Sequence, residues 1–379
     1  MSTAPSHDMV DFETFLRKEG YHLNMAPEEA RERIQDTFCS RSLNRFENLM
    51  EIRKERPYRP EEFYSVADTL EEAALLFSPL AHTTSACGQH LYRTIKPFLT
   101  PGIKVADMGC GVGSWTRWMA EHHPHVQFVG FDKHDGLLAI ANTVHRQANC
   151  QFHECDYVDL SKAYGQYDLI TSLLGVDFEP PVVAPDPDTL SSNDSTNNAM
   201  TDYIKRVFAT VASGWKKILA PNGLVKAVLR LPSFEMWYGC VVGAANAGFK
   251  LNHDLSSCVA VGKQRFPLMV FETGEDPVVV DLDLMLGWWV DRTGASADAQ
   301  VLLDAPALLR YRRLQNKKIL DVSETKYDDG HYMHKETGLA DGVGYVYEYA
   351  TTFYRRLECI QESKLQDSSA PRFVAGADL

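Results

Sequence analysis

One stretch limits what this chain can fold into more than any other: Lys104–Val105–Ala106–Asp107–Met108–Gly109–Cys110–Gly111–Val112–Gly113. A short apolar run ends in an acid, and glycine then stands at every second position. Residues 114–120 follow with the pattern of a helix. Strand, glycine turn and helix together form the layout of a nucleotide-binding crossover. The glycines let the backbone turn sharply and approach a ligand without a Cβ clash. A dinucleotide fingerprint would place its third glycine where Ser114 stands. This chain instead carries Asp107 two positions before Gly109, and an acid there repels a pyrophosphate. It would accept a hydrogen bond from an ammonium group, or orient the loop. The turn therefore suits a ligand with a cationic amino-acid part and no phosphates.

Around this crossover the pattern alternates. Residues 103–107, 126–131, 150–155, 167–174 and 224–229 read as strands. Helices are expected at 113–121, 135–145, 200–219 and 233–247. Alternation of this kind implies parallel strands with helices on both faces. Two more strands, at 250–261 and 265–271, are separated only by Gly262, Lys263 and Gln264, which predicts an antiparallel pair at the sheet edge. The first hundred residues read as helical, with Asp68 capping a helix over 69–77, a break at Pro79, and a further helix over 85–98. Residues 177–198, dense in Pro, Asp, Ser and Asn, read as a long loop. Residues 344–357 fit either a strand or a helix. The expected organisation is a helical extension over 1–100, a ligand-binding core over 101–273 and a mixed C-terminal addition over 274–379.

Residues 103–272 resemble the class I S-adenosylmethionine-dependent methyltransferases. Asp107 to Gly113 matches that family's first motif. Asp132 ends the second strand, where the family's acid binds both ribose hydroxyls. Asp156 and Tyr157 follow the third strand, where a family acid meets the adenine amine and the next residue lies against the ring; Asp159 stands nearby as a rival. Residues 219–223 resemble the family's turn into strand 5, and the pair near 250–271 its antiparallel ending. The resemblance implies an α/β, Rossmann-like, seven-stranded, mostly parallel sheet with helices on both faces and an antiparallel last strand. It implies S-adenosyl-L-methionine as cofactor, held by Asp107, Gly109, Cys110, Gly111, Gly113, Asp132, Lys133, Asp156, Tyr157, Ser172 and Leu173. A carboxylate is well suited to accept two hydrogen bonds from vicinal hydroxyls, as Asp132 would. Cys110 reads as a small residue in a tight turn, since nothing near it in the sequence would activate a thiol.

The residues after the fourth strand, Ser172 to Asp177, lack the Asn/Asp-Pro-Pro-aromatic motif of family members that methylate planar amides and base amines. An O- or C-acceptor on a small organic molecule is therefore expected. Asp177, His331 and His334 are the proton-acceptor candidates, should the nucleophile have to lose a proton. His331 and His334 with Asp328 and Asp329 read as a polar surface loop and not as a metal site. Tyr64, Phe77, Trp237, Trp288, Trp289, Tyr345 and Tyr347 are aromatic side chains for either core or acceptor pocket. There are 51 acidic against 38 basic residues, a formal net charge of −13. Such a surface repels nucleic-acid backbones. The eight cysteines form no C-x-x-C pair, and no apolar run reaches the length of a membrane span. A cytoplasmic methyltransferase without nucleic-acid or membrane partners is expected, with a homodimer as one assembly. An RNA or protein methyltransferase, or a cofactor-binding partner subunit without transfer, are the alternative readings.

Overall fold

The computed structural model describes residues 11–55, 60–176, 195–231, 234–262, 264–274, 280, 311, 314, 316–326, 332–340, 343–350 and 355–360. The chain divides into two units, residues 1–231 with 236–280, and residues 232–235 with 281–379.

The first unit is built on a mostly parallel sheet. Its strands are β1 (Lys104–Met108), β2 (Gln127–Asp132), β3 (Cys150–Glu154), β4 (Tyr167–Leu173), β5 (Leu219–Val228), β6 (Phe249–Leu251), β7 (Ser257–Val261) and β8 (Gln264–Thr273). Their order is β3-β2-β1-β4-β5-β8-β6, with β7 also paired to β8. Neighbours from β3 to β5 run parallel, and β8 is antiparallel to β5, β6 and β7. Four consecutive residues of β1 are buried, because a sheet covered on both faces asks for a continuous apolar run. The sheet has eight strands and not seven. The single strand expected over 250–261 is split where the Asn252 carboxamide oxygen accepts the Leu255 N–H at 3.0 Å and the Ser256 hydroxyl donates to the Asn252 carbonyl at 2.6 Å. This Asx-type turn breaks the ladder.

Helices α1 (Phe12–Lys18), α2 (Pro27–Thr37), α3 (Ser40–Glu55), α4 (Pro60–Tyr64) and α5 (Leu70–Ile95) precede the sheet. The break expected at Pro79 is absent, and α5 runs 26 residues through it. Proline removes one helical hydrogen bond at a cost of about 3 kcal/mol. The buried face of α5, with Ala74, Leu75, Ala81, Cys87 and Leu91 among its residues, outweighs that cost. Thr69, not Asp68, caps α5, accepting the Glu72 N–H at 3.2 Å. Between successive strands of the sheet come α6 (Ser114–His122), α7 (Asp135–Val144), α8 (Ser195–Ile218) and α9 (Phe234–Asn246). The helix α8 starts at Ser195, inside the stretch expected as loop; residues 177–194 of that stretch lie outside the described residues.

Helix α1 packs on α5 and α6. A Cβ at Gly88 of α5 would sit 2.6 Å from the Phe12 ring, so a bare backbone is required there. Phe12 in turn meets Trp115 and Trp118 with ring centroids 5.1 Å apart in each case. Beside these rings, Glu19 and Arg117 form an ion pair that is almost wholly buried. The Ser114 hydroxyl donates to Glu19 at 2.6 Å, and Tyr21 lies 3.3 Å from the same hydroxyl. Burial pushes the Glu19 carboxyl up, and does so more strongly than Arg117 and Ser114 pull it down. Removing one partner of such a pair leaves an uncompensated charge. Arg117→Met should therefore cost about 3 kcal/mol in urea unfolding, and the double variant Glu19→Gln/Arg117→Met should recover much of it. A neutral Arg117→Met would show that the pair does not hold α1 in place.

The second unit contains a four-stranded antiparallel sheet ordered β12-β11-β10-β9. Its strands are β9 (Lys318–Lys326), β10 (Tyr332–Ala340), β11 (Val343–Ala350) and β12 (Arg355–Ile360). The ambiguous stretch over 344–357 is thus strand wherever it is described. Tyr345 and Tyr347 are both buried, and Tyr347 stacks on Tyr311 at 4.0 Å. The buried Glu336 accepts hydrogen bonds from Tyr311 at 2.8 Å and Tyr345 at 2.7 Å. The surface-loop expectation fails for His334, which is a buried residue of β10 lying opposite Glu324 of β9. No group of metal-ligating side chains occurs among the described residues, and no described helix is long and apolar enough to cross a membrane.

Candidate functional site

At the C-terminal ends of β1, β2 and β4 lies a cavity of about 710 Å³. The chain must turn away from the sheet at this edge, and the turn after β1 does so with Gly109, Gly111 and Gly113 all at positive φ. Two of these glycines also answer to close packing. A Cβ on Gly109 would lie 2.4 Å from the Gly175 carbonyl oxygen, and one on Gly113 would strike the Phe152 ring at 2.5 Å. A Cβ on Gly111 would meet nothing within 4 Å, so this residue presents bare backbone to open space. The turn is pinned to β2, because the N–H groups of Gly109 and Cys110 both donate to the Phe131 carbonyl, at 2.8 and 3.0 Å.

Two buried carboxylates stand on the cavity wall. Asp132 accepts the Gly111 N–H at 2.8 Å on one oxygen and the His134 N–H at 3.0 Å on the other. These bonds fix the carboxylate plane and leave each oxygen a further lone pair. Asp107 accepts the Thr116 hydroxyl at 2.6 Å and the Thr171 hydroxyl at 3.3 Å. Burial pushes the Asp107 carboxyl up to about 7, against the lowering effect of the two threonines and with a further rise from Asp132. Asp132 is likewise raised, by burial ahead of the backbone bonds that lower it. A pair of acids held above their ordinary range is a receptor for positive charge.

Of the residues expected to hold cofactor, Asp107, Gly109, Cys110, Gly111, Asp132, Lys133, Asp156, Tyr157 and Leu173 line the cavity. Gly113 and Ser172 do not. Gly113 caps α6 behind the wall, and the fully buried Ser172 donates to the Met108 carbonyl at 2.9 Å. Asp156 both lines the cavity and caps the short 3-10 helix Tyr157–Asp159, while its rival Asp159 is not on the wall. The Tyr157 hydroxyl donates to the Gly175 carbonyl at 2.7 Å, tying the ends of β3 and β4 across the cavity. Burial raises the Cys110 thiol well above its ordinary value, as fits a packing residue. Tyr64 and Phe77 reach the wall; Trp237 is fully buried off it, and Tyr345 and Tyr347 belong to the core of the second unit. His334 is taken up in the second unit by Glu324, 3.3 Å away, and Glu336. Asp177, His331, Trp288 and Trp289 lie outside the described residues.

The wall also has members that the sequence reading did not reach. Phe12, Leu16 and Tyr21 come from α1 and the turn after it, and Phe63 from α4. Lys133 is paired with Glu61 of α4 at 2.7 Å, and the His134 ring lies 4.7 Å from that of Tyr64. Leu174 holds a φ of +56°, a strained value for a branched residue, immediately before the glycine that meets Gly109. The only sequence signal for this corner was the lone Gly175 after an apolar strand.

A family model described as a methyltransferase domain matches residues 105–184. The chain is similar to three solved structures, among others. One is a TehB-like S-adenosylmethionine-dependent methyltransferase from Corynebacterium glutamicum, at 16% identity over 54% of this chain and 97% of that one, with a TM-score of 0.36. Another is magnesium protoporphyrin IX methyltransferase from Synechocystis with bound S-adenosylhomocysteine, at 11% identity over 65% and 100%, with a TM-score of 0.36. The third is a methyltransferase from Pyrococcus furiosus, at 14% identity over 62% and 100%, with a TM-score of 0.35. A search of curated proteins returns no match. Residues 105–184 thus carry a methyltransferase domain, in keeping with the resemblance of the sequence to class I S-adenosylmethionine-dependent methyltransferases. Its cofactor is S-adenosyl-L-methionine, and the wall suits it: a buried acid at Asp107 for its cationic end, spare acceptor capacity at Asp132 for its hydroxyls, and bare backbone at Gly111.

If Asp107 faces the cationic end of the cofactor, binding favours its ionised form and releases a proton. Affinity for S-adenosylhomocysteine, whose ammonium remains, should then rise as pH increases through about 7 and level off above it. Calorimetry in buffers of different ionisation enthalpy reads this directly. In Asp107→Asn the dependence should flatten; a wild-type affinity independent of pH between 6 and 8 contradicts this role for Asp107.

Proposed function

We propose that this chain transfers the methyl group of S-adenosylmethionine to oxygen or carbon of a small organic molecule. The observation that carries this reading is the furnishing of the cavity beyond the carboxylates. Phe12 and Leu16 of α1, Phe63 and Tyr64 of α4, and Phe77 and Leu80 of α5 form an apolar wall. A concave site of a few hundred cubic ångström with such a lining suits a small ligand better than a polymer. The net charge of −13 further opposes a nucleic-acid acceptor.

When bound, the cofactor supplies a methyl group already activated on a sulfonium, so placement of the nucleophile accounts for much of the catalysis. In this proposal Asp132 orients the ribose and Asp156 with Tyr157 the base. The Gly109–Gly111 backbone and Asp107 then fix the amino-acid end. Apolar side chains from α1, α4 and α5 exclude water and press the acceptor toward the methyl. Where the nucleophile is a hydroxyl, Asp177, four residues beyond the last residue of β4, is the proposed proton acceptor.

The reading is tested by incubating the protein with methyl-labelled cofactor and a fractionated cell extract. Label is expected in the small-molecule fraction. Label confined to RNA or protein overturns the proposal while leaving the methyltransferase class intact.

A further inference from the structure

The methyl acceptor can be narrowed further by one unused charge on the cavity wall. Arg230 follows the last residue of β5 by two positions and lines the cavity. It forms no hydrogen bond or ion pair among the described residues, and neither does Thr84 of α5, which lines the same cavity. Lys133, another wall cation, is engaged by Glu61. Arg230 shares the cavity with Phe77, Leu80 and Thr84 of α5. In a chain with 13 more acids than bases, an arginine beside an apolar cavity with no carboxylate partner among the described residues calls for an explanation.

Strand order gives the location its meaning. Asp132 and Asp156 stand at the ends of β2 and β3, and β5 lies on the far side of β1 and β4. Strands are spaced about 4.8 Å apart, so the end of β5 is about 14 Å from that of β2. A nucleoside seated over β2 and β3 leaves the β4–β5 end for the acceptor.

We infer that Arg230 anchors an acceptor that carries a carboxylate on an apolar, ring-containing body, with Thr84 as a second polar contact. This rests on the methyltransferase reading of the cavity. The planar fork of arginine matches a carboxylate with two parallel hydrogen bonds. A single guanidinium matches the charge of a monoanion and leaves the second charge of a phosphate uncompensated in an apolar cavity, so a carboxylate fits better. The lone pairs of a carboxylate held this way are engaged by the guanidinium. It is therefore the handle, and a different oxygen or carbon of the molecule takes the methyl.

The test uses the full chain saturated with S-adenosylhomocysteine. The probes are 2-naphthoate, 4-hydroxycinnamate and 3-hydroxybenzoate, each beside its methyl ester, and 2-naphthyl phosphate. At least one acid should bind about tenfold more tightly than its ester and than the phosphate. Arg230→Met should erase that difference, Arg230→Lys should retain part of it, and neither should change the affinity for S-adenosylhomocysteine. Acids that bind no better than their esters, or fail to bind at all, overturn the inference, as does a preference for the phosphate. An Arg230→Met variant that loses S-adenosylhomocysteine overturns it too, by assigning the arginine to the cofactor. Failure of the wild type to bind S-adenosylhomocysteine is a separate result, and removes the methyltransferase reading beneath it.

Discussion

Asp132 is held by two backbone N–H groups, one from Gly111 and one from His134, and the site is assembled from that contact outward. The Gly111 bond joins the glycine turn after β1 to the end of β2. It also keeps a buried carboxylate oriented without consuming all of its acceptor capacity. Nearby, Asp107 of β1 is held by Thr116 of α6 and Thr171 of β4, so that three elements meet on this one acid. Burying carboxylates is costly unless hydrogen bonds or opposite charge compensate. Here the hydrogen bonds are present, and the remaining deficit is of a kind that a cationic ligand relieves.

The backbone around these acids is correspondingly tight. Gly109 and Gly175 approach each other so closely that a Cβ on either would lie 2.4 Å from a carbonyl oxygen. The strain of Leu174 is accepted at this corner, where its N–H reaches the Val228 carbonyl at 2.8 Å. Such a seat does not form a closed pocket by itself. Helices α1, α4 and α5 supply the apolar wall, and their attachment runs through contacts of very different strength. The Glu19–Arg117 pair is buried, whereas the Glu61–Lys133 pair is about half exposed on each side and contributes at most about 1 kcal/mol.

Much of the sheet and its ligand turn was legible in the sequence, because both are written in local patterns. The alternation of strands with helices, the Asp-x-Gly-x-Gly-x-Gly turn, and acids at the ends of the second and third strands all occur within short windows. The wall was not legible. Phe12 meets Gly88 and Trp115, and Glu61 meets Lys133, across separations of 72 residues and more, and nothing in either partner's neighbourhood announces the other. Local rules misread α5 at Pro79, where burial of one helix face overrode the proline. They also missed the Asn252 turn that divides β6 from β7. His334 looked like a loop residue because Asp328, Asp329 and Gly330 precede it; cross-strand pairing with Glu324 places it in a sheet instead.

The central claim is that the Asp132 carboxylate and the glycine turn form the seat of S-adenosylmethionine. Calorimetric titration of S-adenosylhomocysteine into the wild type and Asp132→Ala tests it most directly, with thermal unfolding as the check that the variant is folded. Saturable one-site binding by the wild type is expected, weakened on the order of a hundredfold in the folded variant as two hydrogen bonds to a charged group are lost. No binding at near-millimolar ligand, or equal affinity in wild type and variant, would contradict the account.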